Sequence, residues 1–191
     1  MRGRRHRSGL RLFVALDPPV EVRAEAEAWA RHLARSTHGL RVAPARNSHV
    51  TLAFLGERDE SEIDEIAAAV AETERPVDGL SLGAPVWLPR RRPRALALEI
   101  HDDTAGLAEM QRDLARRLGA DLGWREARPY RAHLTCGRTG RGFDPSGLRL
   151  PVSPQMAFAS DSVTLYSSIL GPEGAEYEAL ERFPARPGDA Q

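Results

Sequence analysis

The chain has 191 residues, 41% apolar and 28% charged, which is ordinary for a globular protein and excludes collagen, a long coiled coil and a wholly disordered chain. All 27 basic residues are Arg and balance 27 acidic residues, so the formal net charge is zero and broad nonspecific binding of nucleic acid is not expected. No apolar run reaches the roughly 18 residues that indicate a membrane span, and the start of the chain does not fit a signal peptide. We therefore expect a cytoplasmic protein.

Strands and helices alternate in the first part of the chain. The apolar run 12–16 predicts a strand, and the Ala-, Glu- and Arg-rich stretch that follows, to Arg35, has the helical period. Residues 49–55 have β character, and a second amphipathic helix opens at Asp59. Residues 80–88 then predict another strand.

The second part of the chain follows a similar order. Residues 94–100 alternate between apolar and polar as a strand does, and 102–104 are expected to cap a helix that ends at Gly119. Residues 133–138 and 162–170 complete the predicted strands.

Two of these blocks resemble each other at nearly the same spacing. Arg11 opens a strand and helix that lead to a His-x-Thr pair at His49, 38 residues later, and Arg94 opens another that leads to the pair at His133, 39 residues later. Matched context around a repeated pair indicates a duplicated unit. The sequence therefore predicts two copies of one α+β lobe.

This duplication defines the predicted domain organisation. We expect a basic, flexible tail over 1–10, a single bilobal domain over 11–183 with pseudo-repeats of about 11–88 and 94–170, and a flexible tail over 184–191.

The His-x-Thr pairs carry the candidate chemistry. Side chains at i and i+2 of a strand share a face, so His49 with Thr51, and His133 with Thr135, should leave the core while the alternate residues, including Phe54, pack into it. If the two strands lie side by side, two imidazoles and two hydroxyls converge on a volume that suits a tetrahedral anion. One imidazole can then act as a general acid and the other as a general base, and the hydroxyls can donate hydrogen bonds to phosphoryl oxygens.

These residues resemble the two-histidine (2H) phosphoesterases, in particular the RNA 2′,3′-cyclic phosphodiesterase branch, also called 2′-5′ RNA ligases. One His-x-Thr pair alone would be a weak signal, but two in this order with these flanks are specific. The resemblance is carried by the segments RLFVALD at 11–17, NSHVTLAFLGE at 47–57, YRAHLTCGR at 130–138, VTLYSS at 163–168 and GPEGAEY at 171–177.

The resemblance implies an α+β, bilobal fold with two antiparallel sheets facing a central cleft and helices outside. It implies hydrolysis of RNA 2′,3′-cyclic phosphate ends to 2′-phosphomonoesters, with 2′-5′ ligation as the reverse of 2′-5′ cleavage, and it implies neither a metal nor a nucleotide cofactor. The expected partners are RNA ends or nucleotides with a cyclic phosphate, and we expect a monomer that does not bind membranes.

Carried over residue by residue, the resemblance makes His49 the general acid on the leaving 3′-oxygen and His133 the base on water. Thr51 and Thr135 would hold the phosphoryl oxygens. Arg138 stands where the family commonly places a phosphate-contacting arginine. Strand alternation, however, would point its side chain to the face of the strand opposite to that of His133, unless the strand ends or bulges at Gly137.

Two other interpretations compete with the two-histidine enzyme. The first is an RNA-end or nucleotide binding module that uses the same cleft without turnover, and the intact pairs of His and Thr count against it. The second is a thiol nucleophile at Cys136, the only cysteine. Its spacing of three residues from His133 points it to the opposite face, so a buried apolar role is expected.

Overall fold

The computed structural model describes residues 9–171 and 174–185. Most of the basic tail predicted over 1–10 therefore lies outside the described residues, as do 186–191 of the second tail. The helices and strands, in chain order, are β1 (Leu10–Asp17), α1 (Val20–Ala34), β2 (Leu40–Val42), β3 (Val50–Arg58), α2 (Ile63–Thr73), β4 (Leu80–Leu88), β5 (Ala95–Asp102), α3 (Gly106–Leu122), β6 (His133–Thr139), β7 (Ala157–Phe158), β8 (Ser162–Gly171) and β9 (Gly174–Pro184).

The predicted strands and helices are present, but helix α3 ends later than predicted, and the strands β2, β7 and β9 were not predicted. Helix α3 passes through Gly119 and ends only at Gly123, where φ is +64° and the backbone N–H bonds back to the carbonyl of Leu118. A left-handed conformation of this kind favours glycine at a helix end. The prediction that α3 ends at Gly119 is therefore wrong by one turn.

Of the three strands that the sequence did not predict, β9 is the longest. It lies at the edge of the sheet and carries mostly exposed and half-buried residues, four of them charged, so it has no apolar run to reveal it. Pro184 ends this strand, and the N–H of Ala185 donates to the carbonyl of Asp161 at 2.9 Å. Residues 184 and 185, which were predicted as the start of the second tail, are thus bonded to the rest of the fold.

The sheet is antiparallel throughout, in the order β7-β4-β5-β6-β3-β1-β8-β9, with β2 paired to β6. Its centre is narrow: β3 and β6 are joined by a single bridge between Val50 and Leu134. We call β3-β1-β8-β9 the first half-sheet and β6-β5-β4-β7 the second. The α+β, duplicated fold is confirmed, and the one bridge links its two expected sheets into a single curled sheet.

The half-sheets do not coincide with the halves of the chain. Strand β4 comes from the first pseudo-repeat but pairs with β5, and β8 comes from the second but pairs with β1. Each half-sheet is therefore built from both repeats, and the sequence repeat alone did not reveal this exchange.

The core lies between one face of the sheet and the helices. Helix α1 buries one side of its period in this core, and α2 and α3 pack against each other. Alternate residues of the central strands enter the same core, among them Val50, Leu52, Leu134 and Cys136. Because strand neighbours point to opposite faces, the His-x-Thr pairs are left on the other face of the sheet.

Candidate active site

All five residues singled out in the sequence line one open cleft between the half-sheets. The cleft has a volume of about 780 Å³, and His49, Thr51, His133, Thr135 and Arg138 are all in its wall. The structure thus brings together the two His-x-Thr pairs that lie far apart in the sequence.

The bridge between β3 and β6 explains this convergence. Val50 pairs with Leu134 in an antiparallel sense, and each follows directly on a motif histidine. An antiparallel pair of equivalent residues has a local twofold axis between the strands. The two histidines are therefore related by that axis, one on each side of the bridge.

A bulge in β6 turns Arg138 into the cleft. Thr135 pairs with Ala97, but Gly137 pairs with the preceding residue of β5, so β6 has one extra residue between them, and Arg138 pairs with Ala95. Because Ala95 and Ala97 share a face, Arg138 lies on the same face as Thr135. This is the irregularity at Gly137 on which the position of Arg138 depended.

The prediction that Phe54 packs into the core is wrong for the same reason. In β3 the register with β1 shifts twice, so Thr51 pairs with Ala15, and Phe54 with Phe13. The Phe54 side chain is 47% exposed and lines the cleft, with the guanidinium carbon of Arg11 4.9 Å from its ring centroid.

Side chains from outside the sheet satisfy backbone groups along this irregular part of β3. The indole N–H of Trp124 donates to the carbonyl of Phe54 at 3.1 Å, and the amide of Gln111 donates to the carbonyl of Leu52 at 3.4 Å. Alternation in the sequence does not reveal these bulges, because the groups that bond to their backbone come from α3 and the segment after it.

The ring of His133 is fixed by the backbone. Its Nδ1 lies 2.8 Å from the carbonyl oxygen of Arg131. Since a carbonyl can only accept, Nδ1 carries the proton and Nε2 of the neutral ring keeps its lone pair. Burial lowers the pKa of His133, and the nearby guanidinium groups of Arg131 and Arg138 lower it further. A neutral ring with a free Nε2 can accept a proton.

His49 lies in an aromatic environment. Its ring centroid is 4.8 Å from that of Phe13, 5.1 Å from that of Tyr177, which it meets edge to face, and 6.1 Å from that of Tyr166. Burial lowers the pKa of His49 to about 4, whereas the carboxylate of Asp17 and the backbone of Asn47 act to raise it. Without a bound anion, this imidazole is neutral at neutral pH.

Sequence reasoning did not assign several residues of the cleft. Arg11 and Arg94 both line it, and their equivalent positions at the start of the two repeats were the signal that could have found them. Phe13 and Tyr177 belong to the segments that resemble the phosphoesterase branch, but their residue types alone suggested packing.

Cys136 is buried and its thiol donates to the carbonyl of Leu134 at 3.4 Å. Burial raises the pKa of this thiol to about 12. The prediction that Cys136 is buried in the core is confirmed. Across residues 9–171 and 174–185, no group of three or more His, Cys, Asp or Glu side chains is placed to hold a metal ion. Within the same residues, no helix combines the length and apolar character needed to cross a membrane.

Comparison with known proteins gives a consistent result. Residues 16–94 match the family described as LigT like Phosphoesterase. The RNA 2′,3′-cyclic phosphodiesterase of Thermus thermophilus is 30% identical over 189 residues, covering 93% of this chain and 91% of the relative. The protein of the same name from Escherichia coli is 30% identical over 184 residues, covering 91% and 95%.

Solved structures agree on the fold. The crystal structure of TT0787 of Thermus thermophilus has a TM-score of 0.77 and 27% identity, and covers 93% of this chain and 98% of that one. Escherichia coli LigT complexed with 3′-AMP has a TM-score of 0.76 and 24% identity at the same coverage. On the sequence relationship, the chain belongs to the family of LigT-like phosphoesterases that includes the RNA 2′,3′-cyclic phosphodiesterases.

Proposed function

We propose that this chain is a phosphodiesterase that hydrolyses the 2′,3′-cyclic phosphate ends of RNA to 2′-phosphomonoesters. The observation that carries the proposal is the convergence of two His-x-Thr pairs on one cleft face, across the bridge between Val50 and Leu134. The relatives named RNA 2′,3′-cyclic phosphodiesterase support this substrate class.

Proton transfer is divided between the two histidines. His133, with its proton on Nδ1, takes a proton from water through Nε2 while the water oxygen forms a bond to phosphorus. The bond from phosphorus to the 3′-oxygen breaks, and His49 gives its proton to that oxygen. A base and an acid on opposite sides of the phosphorus suit such an in-line displacement. The product is a 2′-phosphomonoester with a free 3′-hydroxyl.

The remaining cleft residues hold the phosphate. The hydroxyls of Thr51 and Thr135 donate to the two nonbridging oxygens of the cyclic phosphate. Negative charge grows on these oxygens as water attacks the phosphorus. Arg138 adds a guanidinium whose planar donors match phosphate oxygens. No step in this route uses a metal ion or a nucleotide cofactor.

The protonation states follow from the environment of each ring. Both histidines have a lowered pKa in the free protein, so the acid must gain its proton as the anionic substrate binds. A negative charge close to an imidazole favours its protonated form. Substrate phosphate therefore prepares His49 for its role as the acid. Arg138 lowers the pKa of both rings, and Arg131 adds to this effect at His133, which favours the neutral form of that ring.

The reverse of 2′-5′ cleavage is 2′-5′ ligation, and the same acid and base serve it with exchanged roles. We include this capacity in the proposal. A module that binds RNA ends without turnover is not favoured, because both rings and both hydroxyls line the cleft. We further propose that residues 11–183 act as one catalytic unit, as a monomer, in the cytoplasm.

A direct assay tests the function. The purified chain would be given the four 2′,3′-cyclic nucleotides and oligoribonucleotides with cyclic phosphate ends, in EDTA and without ATP. We expect turnover, with the 2′-phosphate as the product seen by phosphorus NMR. A 3′-phosphate product would reverse the acid and base. Binding of every substrate without turnover would replace the proposal by the binding module, and turnover that is lost in EDTA and restored by a divalent ion would overturn the metal-free route.

A further inference from the structure

A buried carboxylate lies beside one catalytic histidine and has no role in the route above. Asp17 is 1% exposed and accepts three hydroxyl hydrogen bonds. The donors are Ser162 at 2.8 Å, Thr164 at 2.6 Å and Tyr166 at 2.8 Å. Burial of a charged group is costly unless it is well hydrogen-bonded, so three donors aimed at one carboxylate are a built arrangement.

The sheet register puts this carboxylate next to His49. Leu16 on β1 pairs with Val50 on β3, and the next step of that ladder brings Asp17 beside His49 on the same face. Tyr166 connects the two: its hydroxyl donates to Asp17, and its ring centroid is 6.1 Å from that of His49.

The equivalent position beside His133 is different. Glu99 pairs with His133 on the neighbouring strand, but it is half-exposed and forms an ion pair with Arg131. The charge of Glu99 is thus neutralised locally. Asp17 has hydroxyl partners, and the closest guanidinium to it, that of Arg182, is 4.0 Å away and 51% exposed. The two histidines differ in this respect although their motifs are the same.

We propose that Asp17 is a positioning residue that selects His49 as the proton donor of the reaction. Its carboxylate, held by the hydroxyls of β8, supplies the only negative charge beside His49 among the described residues that face that ring. The other titratable or charged groups that face His49 are Tyr166 on β8, Tyr177 on β9, and His133 and Arg138 on β6. Asp17 acts through His49 and does not itself touch the substrate.

The inference rests on the proposed function and on the assignment of His49 as the acid. The carboxylate of Asp17 raises the pKa of His49, against the effect of burial and of Arg138. When an acid and a base must both be in the correct state, the rate above both pKa values depends on the acid alone, and the rate below both depends on the base alone. Asp17 should therefore affect one side of the pH profile.

The test measures kcat against pH for wild type and for Asp17→Asn. If the substitution lowers the pKa of His49 by about one unit, the rate on the alkaline side falls about tenfold while the rate on the acidic side is unchanged. Glu99→Gln is the matched control, and it should leave the alkaline rate unchanged. A uniform loss at every pH would mean a merely structural role, and a gain on the acidic side would make His49 the base; either result overturns the proposal.

A second variant avoids the buried site. Arg182→Gln removes the exposed cation near Asp17, so the alkaline rate should rise modestly, in the opposite direction to Asp17→Asn. An unchanged or lower alkaline rate would contradict the proposal even if Asp17→Asn fails to fold. Titration of the His49 ring by NMR in the free protein is independent of turnover: the ring should titrate at lower pH in Asp17→Asn and at higher pH in Arg182→Gln. If no substrate is turned over, the proposed function fails while this titration still decides the influence of Asp17.

Discussion

The two half-sheets present the same His-x-Thr pair in opposite surroundings. In the first, His49 lies among the rings of Phe13, Tyr166 and Tyr177. In the second, His133 is bonded to the backbone and faced by guanidinium groups. The repeated motif thus supplies two identical imidazoles, and only the residues around them differ. In the proposed mechanism, these neighbours assign the role of acid to one histidine and the role of base to the other.

The largest expected effect comes from removing either histidine. His49→Ala and His133→Ala should each reduce turnover of a 2′,3′-cyclic nucleotide by about 100- to 10,000-fold, because each removes one proton-transfer partner. Both side chains line an open cleft, so circular dichroism should show an unchanged fold. Near wild-type turnover in either variant would show that the substituted histidine does not transfer a proton, and it would contradict the two-histidine mechanism.

The hydroxyls should matter equally on the two sides. Thr51→Val and Thr135→Val each keep the shape of the side chain and remove one donor to a phosphoryl oxygen. We expect kcat to fall about 100-fold in each, as for loss of one donor to a developing oxyanion. Thr139→Val is a control outside the cleft wall, since its hydroxyl bonds to the carbonyl of Pro93. A loss in only one of the cleft variants would show that the phosphate is not held symmetrically.

Acid should destabilise the first half-sheet through His49. The pKa of His49 is about 4 in the folded protein and 6.5 in the unfolded chain, so the unfolded state binds the proton more readily. Stability from this group is complete above the unfolded value and is lost as pH falls from there towards the folded value. By about pH 5 the loss amounts to about 2 kcal/mol.

Urea unfolding at neutral pH and near pH 5 measures that loss. His49→Gln should show a smaller decrease between the two conditions than wild type, because the titrating ring is gone. An equal decrease in both proteins would mean that His49 is not the group responsible.

The smallest expected effects are on oligonucleotide binding, and they distinguish a stacking contact from a charged contact in the cleft. Phe54 and Arg138 each follow their motif histidine by five residues, and both line the cleft. Phe54→Leu should weaken oligonucleotide binding about fivefold, by removing a stacking surface worth about 1 kcal/mol. Arg138→Leu should weaken binding and also reduce its salt dependence, since one phosphate contact is lost. Equal salt slopes in the two variants would remove this distinction.

The order of most helices and strands could be predicted from the sequence, because apolar periodicity is a local signal. The two histidines could be identified as candidate site residues, because the repeated His-x-Thr pair is also a local signal. The positions of Phe54 and Arg138 could not be predicted, since both depend on bulges. The bulged backbone accepts hydrogen bonds from other parts of the chain, in β3 from Trp124 and in β6 from Ala43. Strand β9 was missed because an exposed edge strand has no apolar run. The buried carboxylate of Asp17 was missed for a related reason: its three donors are more than a hundred residues away.

The exchange of β4 and β8 between the half-sheets has a consequence for synthesis. Strand β1 emerges from the ribosome early, but its partner β8 follows at the far end of the chain, and Asp17 meets Thr164 across 147 residues. Contacts between such distant residues form late, because the loop that joins them must close first. The surroundings of His49 are therefore completed only after β8 and β9 have been made. A chain that ends after the second motif but before β8 still lacks strands that complete its cleft.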